Sequence, residues 1–164
     1  MAVPIGAQEL QKLFPEINQI QDPALRKGVI DIWLDVASAC PWNRFEDIPK
    51  NYEAERHRAL VGHVRGVTCM AIAMAEIAES QHGTSCDRDM LVAACLLHDA
   101  SKPLECEPDQ GGAPSGGSVL PARESEIGKK SNMASMQLIR SWKRVFRMTS
   151  HASPFYQAAS GLRT

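Results

Sequence analysis

A histidine and an aspartate stand side by side at His98-Asp99, where the apolar run Met90 to Leu97 gives way to Ala100-Ser101-Lys102-Pro103. An imidazole and a carboxylate at the mouth of a buried helix cost desolvation energy, unless something there needs them. The commonest need is a divalent metal. A second histidine, His63, lies upstream on another apolar helical stripe. A divalent cation lowers the pKa of water and polarises a substrate oxygen, and it requires neutral imidazoles and an ionised carboxylate around an open position. Adjacent helical residues diverge by about 100°, so His98 and Asp99 can converge only where the helix ends. Ser101-Lys102-Pro103 supplies that end, because proline disfavours the helical conformation before it. Each residue also has an ordinary reading. His63 alone fits a core histidine bonded to a carbonyl. His98 alone fits a helix C-terminus, whose dipole favours imidazolium but repels Asp99.

The elements that must carry these residues are helical. A short helix is expected over about 7–14. Asp22-Pro23 reads as an N-cap followed by proline at the first helical position, opening a helix with Leu25, Val29, Ile32, Trp33 and Val36 on one face. It should end near Cys40-Pro41, after which 41–51 is irregular, with Trp42 and Phe45 folded onto the core. A long helix is expected from about Ala54 to Glu79, with inward stripe His63, Val67, Met70 or Ala71, Met74, and Ile77 or Ala78, closed by His82-Gly83. The next, from about Asp87 to Asp99, puts Leu91, Ala94 and His98 on one face. Residues 103–121, rich in proline, Gly-Gly pairs and acids, read as a loop of functional or disordered type. A helix over about 122–144 follows, with Ile127, Met133 or Ala134, Met136, Leu138, Ile139 and Trp142 as core candidates. No convincing two-residue alternation appears, so the chain reads as an all-α, compact helical bundle.

Length and composition fit one domain over 1–164, with 44% hydrophobic and 23% charged residues as in ordinary globular chains. The net charge of −1 hides an asymmetry: all 19 acids precede residue 127, and only bases follow. That tail could attract phosphate or an acidic partner, or simply be a solvated helix face; nucleic acid is not the expected partner. The five cysteines are odd in number, scattered, and without a CxxC pair, which fits reduced, cytoplasmic usage. The N-terminus shows no signal peptide, and the longest apolar runs read as too short to span a bilayer.

The pattern His63-Val64-Arg65-Gly66-Val67, then a long apolar helix, then Ala93-Ala94-Cys95-Leu96-Leu97-His98-Asp99-Ala100-Ser101-Lys102, resembles the HD superfamily of metal-dependent phosphohydrolases. The resemblance covers about 55–104 well. It implies an HD-like helical bundle, with His63, His98 and Asp99 as metal ligands and Asp99 also orienting a water. Lys102 would then be the catalytic cation that offsets phosphoryl charge, helped by His151 as a substrate contact. An exposed lysine and a surface histidine are their ordinary alternatives. The implied activity is metal-dependent hydrolysis of a small phosphate ester such as a nucleotide. The cofactor would be Mn, Fe, Mg, Zn, Co or Ni.

The family's closing aspartate has no counterpart, since no Asp or Glu follows Glu126. Truncation before the carrying helix, or completion by Glu105, Glu107 or Asp109, are the alternatives. A degenerate ligand-binding or assembly module is therefore the rival reading. A di-iron oxygenase is a more remote one, for which the extra histidines are missing. The Met- and Trp-containing stretch 133–146 suggests homo-oligomer contacts. Gly128-Lys129-Lys130-Ser131 lacks the earlier glycine and strand of a phosphate-binding loop. His57 and His63, six apart, would face different sides of a helix.

Overall fold

Asp22 opens the main structural helix as its residue type predicts. In the computed structural model, which describes residues 4–109 and 119–130, its carboxylate accepts the Ala24 and Leu25 N–H groups at 2.8 and 3.3 Å, with Pro23 at the first helical position. In chain order the elements are α1 (Ala7–Leu13), a 3₁₀ turn (Pro15–Gln19), α2 (Pro23–Ala39), a 3₁₀ turn (Phe45–Asp47), β1 (Pro49–Asn51), β2 (Glu55–Ala59), α3 (Leu60–His82), α4 (Arg88–Leu97), α5 (Lys102–Glu105), β3 (Cys106–Pro108), β4 (Ala122–Glu124) and α6 (Glu126–Lys129). The fold is predominantly helical, with two small antiparallel hairpins, β1–β2 and β3–β4.

The core is built around Trp33. Its ring stacks on Phe14 at 4.8 Å and meets Phe45 edge-on at 5.4 Å. Its Nε1–H donates to the Leu96 carbonyl at 3.2 Å, which ties α2 to the end of α4 just before His98. Trp42 is likewise buried, donating to the Cys106 carbonyl at 2.9 Å. At the other end of α4, the Asp89 carboxylate accepts the Gln21 and Asp22 N–H groups at 2.9 and 2.7 Å. So α4 is held at both ends, and the residues after it inherit a defined position.

Several expectations need correction. The long helix begins at Leu60, not near Ala54, because 49–59 folds as a hairpin. The Asn51 side chain accepts the Glu53 and Ala54 N–H groups, both at 2.8 Å, forming the turn. His57 therefore lies on β2, off the helix. The inward face of α3 is Leu60, Val61, Val64, Thr68 and Ala75. Met70, Met74 and Ile77 from the expected stripe are 60%, 70% and 58% exposed. A helix apolar nearly all round has no phase legible from its own sequence. By length and composition α3 is also the one helix among the described residues that could cross a membrane. Contiguous runs miss this because Gly62, His63 and Arg65 interrupt an otherwise apolar average. Length and composition alone do not assign it to a bilayer.

Gly83 caps α3 in the left-handed conformation, φ 62°, with its N–H on the Glu79 carbonyl at 3.1 Å. The stretch expected as a loop over 103–121 instead contains α5 with Pro103 in its first turn, and β3. The expected helix from 122 starts as a strand: Cys106 pairs with Glu124, Glu107 with Arg123, and Pro108 with Ala122. Only the short α6 follows, and Ile127 is exposed. Met133, Ala134, Met136, Leu138, Ile139, Trp142 and His151 lie outside the described residues.

Candidate metal centre

His63 stands in the first turn of α3 and His98 at the C-terminal cap of α4, two helices packed against one another. What lets Asp99 join them is the way α4 ends. After Leu97 the backbone changes to three-residue steps: Ala100 N–H to Leu97 O at 3.1 Å, Lys102 N–H to Asp99 O at 3.1 Å, and Leu104 N–H to Ser101 O at 2.9 Å. The regular helix thus stops at Leu97, and Asp99 lies in the turns that follow it, free of the α-helical spacing.

One ligand-type atom from each of His63, His98 and Asp99 falls within 4.8 Å of the others. His98 Nε2 is 3.2 Å from His63 Nε2. Asp99 Oδ2 is 3.3 Å from His63 Nε2 and 3.5 Å from His98 Nε2. The side chains are 14% (His63), 32% (His98) and 21% (Asp99) exposed. His98 thus lies at a mouth on the surface, not in the inward position expected of it, while His63 is largely buried.

His98 Nδ1 lies 2.7 Å from the Cys95 carbonyl. A carbonyl can only accept, so Nδ1 carries the proton and neutral His98 presents the Nε2 lone pair to the cluster. This backbone bond orients the ring and fixes its tautomer, as is usual for metal-ligating histidines. His63 turns Nε2 to the same point and buries Nδ1 without a hydrogen-bond partner among the described residues. Burial pushes the His63 pKa down; Asp99 opposes this, while His98, Lys50 and Arg58 add to the lowering. The ring is thereby kept in the neutral form a cation requires. Two imidazole nitrogens and a carboxylate are a donor set suited to a divalent transition metal. The residues present fit such an ion.

Lys102, on α5, donates to Glu105 Oε2 at 2.7 Å. Burial disfavours its charge, yet the Glu105 hydrogen bond and the charges of Glu105 and Asp99 outweigh that and raise its pKa. It is a firm cation beside the cluster. Glu105 also accepts from Ser101 Oγ at 2.7 Å, and Glu107 pairs with Arg123 at 2.7 Å. Neither these nor Asp109 enters the cluster, which among the described residues is His63, His98 and Asp99. Sequence reasoning missed the cationic β1–β2 hairpin next to His63. The signal was Asn51 at a turn position, obscured by assigning 54–59 to the helix.

No family model matches the chain, and no solved structure matches it. Over 101 residues the chain is 31% identical to a dihydroneopterin 2',3'-cyclic phosphate phosphodiesterase of Methanocaldococcus jannaschii, an alignment covering 57% of this chain and 41% of the relative. The chain therefore spans less than half the length of that curated protein, to which it is distantly homologous.

Proposed function

We propose that the protein is a metal-dependent phosphohydrolase acting on a small phosphate ester. The observation that carries the reading is the meeting of two imidazole nitrogens and a carboxylate oxygen, three ligand-type atoms in one place. A divalent cation there would supply Lewis acidity, making water acidic enough to attack near neutral pH and polarising a phosphoryl oxygen. His63, His98 and Asp99 would hold it. The Cys95 carbonyl keeps His98 in the correct tautomer. Asp99 would also orient the attacking water, and Lys102 would offset the negative charge that grows on the phosphoryl oxygens. His151 remains a candidate substrate contact. The relative named above acts on a cyclic phosphodiester, so cyclic phosphodiesters belong in the first assay beside nucleotides and other phosphomonoesters.

The test is to assay Asp99→Ala against that panel with Mn, Fe, Mg, Zn, Co and Ni. Loss of turnover is expected; undiminished turnover contradicts the proposal. A second reading, a binding module that holds metal without hydrolysis, is favoured by one observation: among the described residues the cluster gathers three ligand-type side chains, His63, His98 and Asp99. Stoichiometric metal without turnover of any ester would select it.

A further inference from the structure

The hairpin β1–β2 is fastened over the first turn of α3. Ala59, at the end of β2, pairs with Pro49, and Leu60 N–H donates to the Ile48 carbonyl at 2.9 Å. Two cations of this hairpin converge on one carboxylate. Lys50 pairs with Glu55 Oε2, and Arg58 Nη1 lies 3.2 Å from Glu55 Oε1. Arg58 lies two residues before Leu60 and Lys50 one residue after Pro49, so the hairpin brings both to the end of α3 that carries His63. On the side of Asp99, Lys102 is held in the same manner by Glu105. The cluster is thus flanked by three cations, each held by a glutamate.

Cations beside a metal centre work against binding the metal, because like charges repel. Their placement makes sense if an anion comes between. From this we infer that Arg58, with Lys50, is an anion-recognition wall of the metal centre, which takes a phosphate group of the ligand while Glu55 holds both side chains ready in its absence. The inference rests on the phosphohydrolase reading and names the part of that site which selects the substrate's charge. Arg58 is half-exposed and can turn from Glu55 to an incoming phosphate without disturbing the core. Its planar fork suits two phosphoryl oxygens at once, whereas Lys50 contributes a point charge. Glu55 and phosphate compete for the same donors.

That competition gives two variants opposite signs. Binding of inorganic phosphate to the protein in excess Mn²⁺ is measured by calorimetry. Arg58→Ala should weaken phosphate by about tenfold, the usual cost of a charge-assisted contact, and Arg58→Lys should recover part of the loss. Glu55→Gln should tighten phosphate, because it releases the cations. A trio that merely stabilises the hairpin would give no such gain. Phosphate affinity unchanged in Arg58→Ala, or weakened in Glu55→Gln, overturns the inference. Phosphate binding that follows this pattern without turnover of any ester supports it and removes the hydrolase. Turnover with a KM indifferent to Arg58→Ala does the reverse.

Discussion

Replacing Asp99 by asparagine should move metal affinity and stability in different directions. The substitution keeps the size of the side chain and removes its charge. The carboxylate oxygen lies 3.3 and 3.5 Å from the two imidazole nitrogens, so an ion held between them would be in direct contact with it. Two unit charges about 4 Å apart interact by ~1 kcal/mol in water and ~4 kcal/mol at an effective dielectric of about 20. A dication doubles this, and water entering the partly exposed mouth restores some of the loss. We expect a net cost near 3–4 kcal/mol, a fall in affinity of roughly 10²–10³. Without metal the balance differs. His63, whose Nδ1 has no partner among the described residues, can then donate Nε2–H to the Asp99 oxygen or to His98 Nε2, and asparagine can replace that partner with its own oxygen or amide. Asp99 does support the charge of Lys102, but Glu105 remains hydrogen-bonded to that lysine. Metal-free stability should therefore stay unchanged or rise by up to about 1 kcal/mol. A competing-chelator titration measures the first quantity, and urea denaturation in chelator the second. A variant that binds metal as tightly as the parent, or is ~2 kcal/mol less stable without metal, refutes the reasoning.

Three further outcomes are expected. The folded His63 pKa lies below its ordinary 6.5, so as pH falls through that value the unfolded chain takes up a proton which the folded chain refuses. Metal-free stability should drop there and level off below the folded pKa; His63→Gln should flatten the fall, and an unchanged slope would contradict the assignment. Trp33→Phe removes the donor to Leu96 O and shrinks a fully buried ring, costing about 2–4 kcal/mol in denaturant unfolding. At Gly128 an added Cβ would clash with the Glu105 carbonyl oxygen and press on its carbon at 3.1 Å. Gly128→Ala should therefore cost about 1–3 kcal/mol and speed hydrogen exchange at Ser125 N–H, which donates to that carbonyl.

Much of the fold was legible because local chemistry and global packing agree. Asp22-Pro23, the Leu25–Val36 stripe, Gly83, and the inward Trp42 and Phe45 each follow from a residue's own preferences. The pairing of His63 with His98-Asp99 was readable from residue types, since no ordinary role explains an acid at that helix end. The facing of α3 was not, because Met70, Met74 and Ile77 are as apolar as the side chains it buries. The β1–β2 hairpin was hidden because Lys50 to Arg58 is mostly charged and lacks alternation; its register comes from the Asn51 turn and from Ile48 receiving Leu60. The β3–β4 pairing joins segments that no local pattern connects. The Lys50–Glu55–Arg58 group follows from that same hidden turn, and so does the cationic side of the site.

The central claim is a cation shared by α3 and the end of α4. Anomalous diffraction from Mn²⁺-soaked crystals tests it directly. The account predicts one peak within about 2.0–2.3 Å of His63 Nε2, His98 Nε2 and an Asp99 oxygen. Saturating metal with no peak there, or a peak held by other side chains, would contradict it.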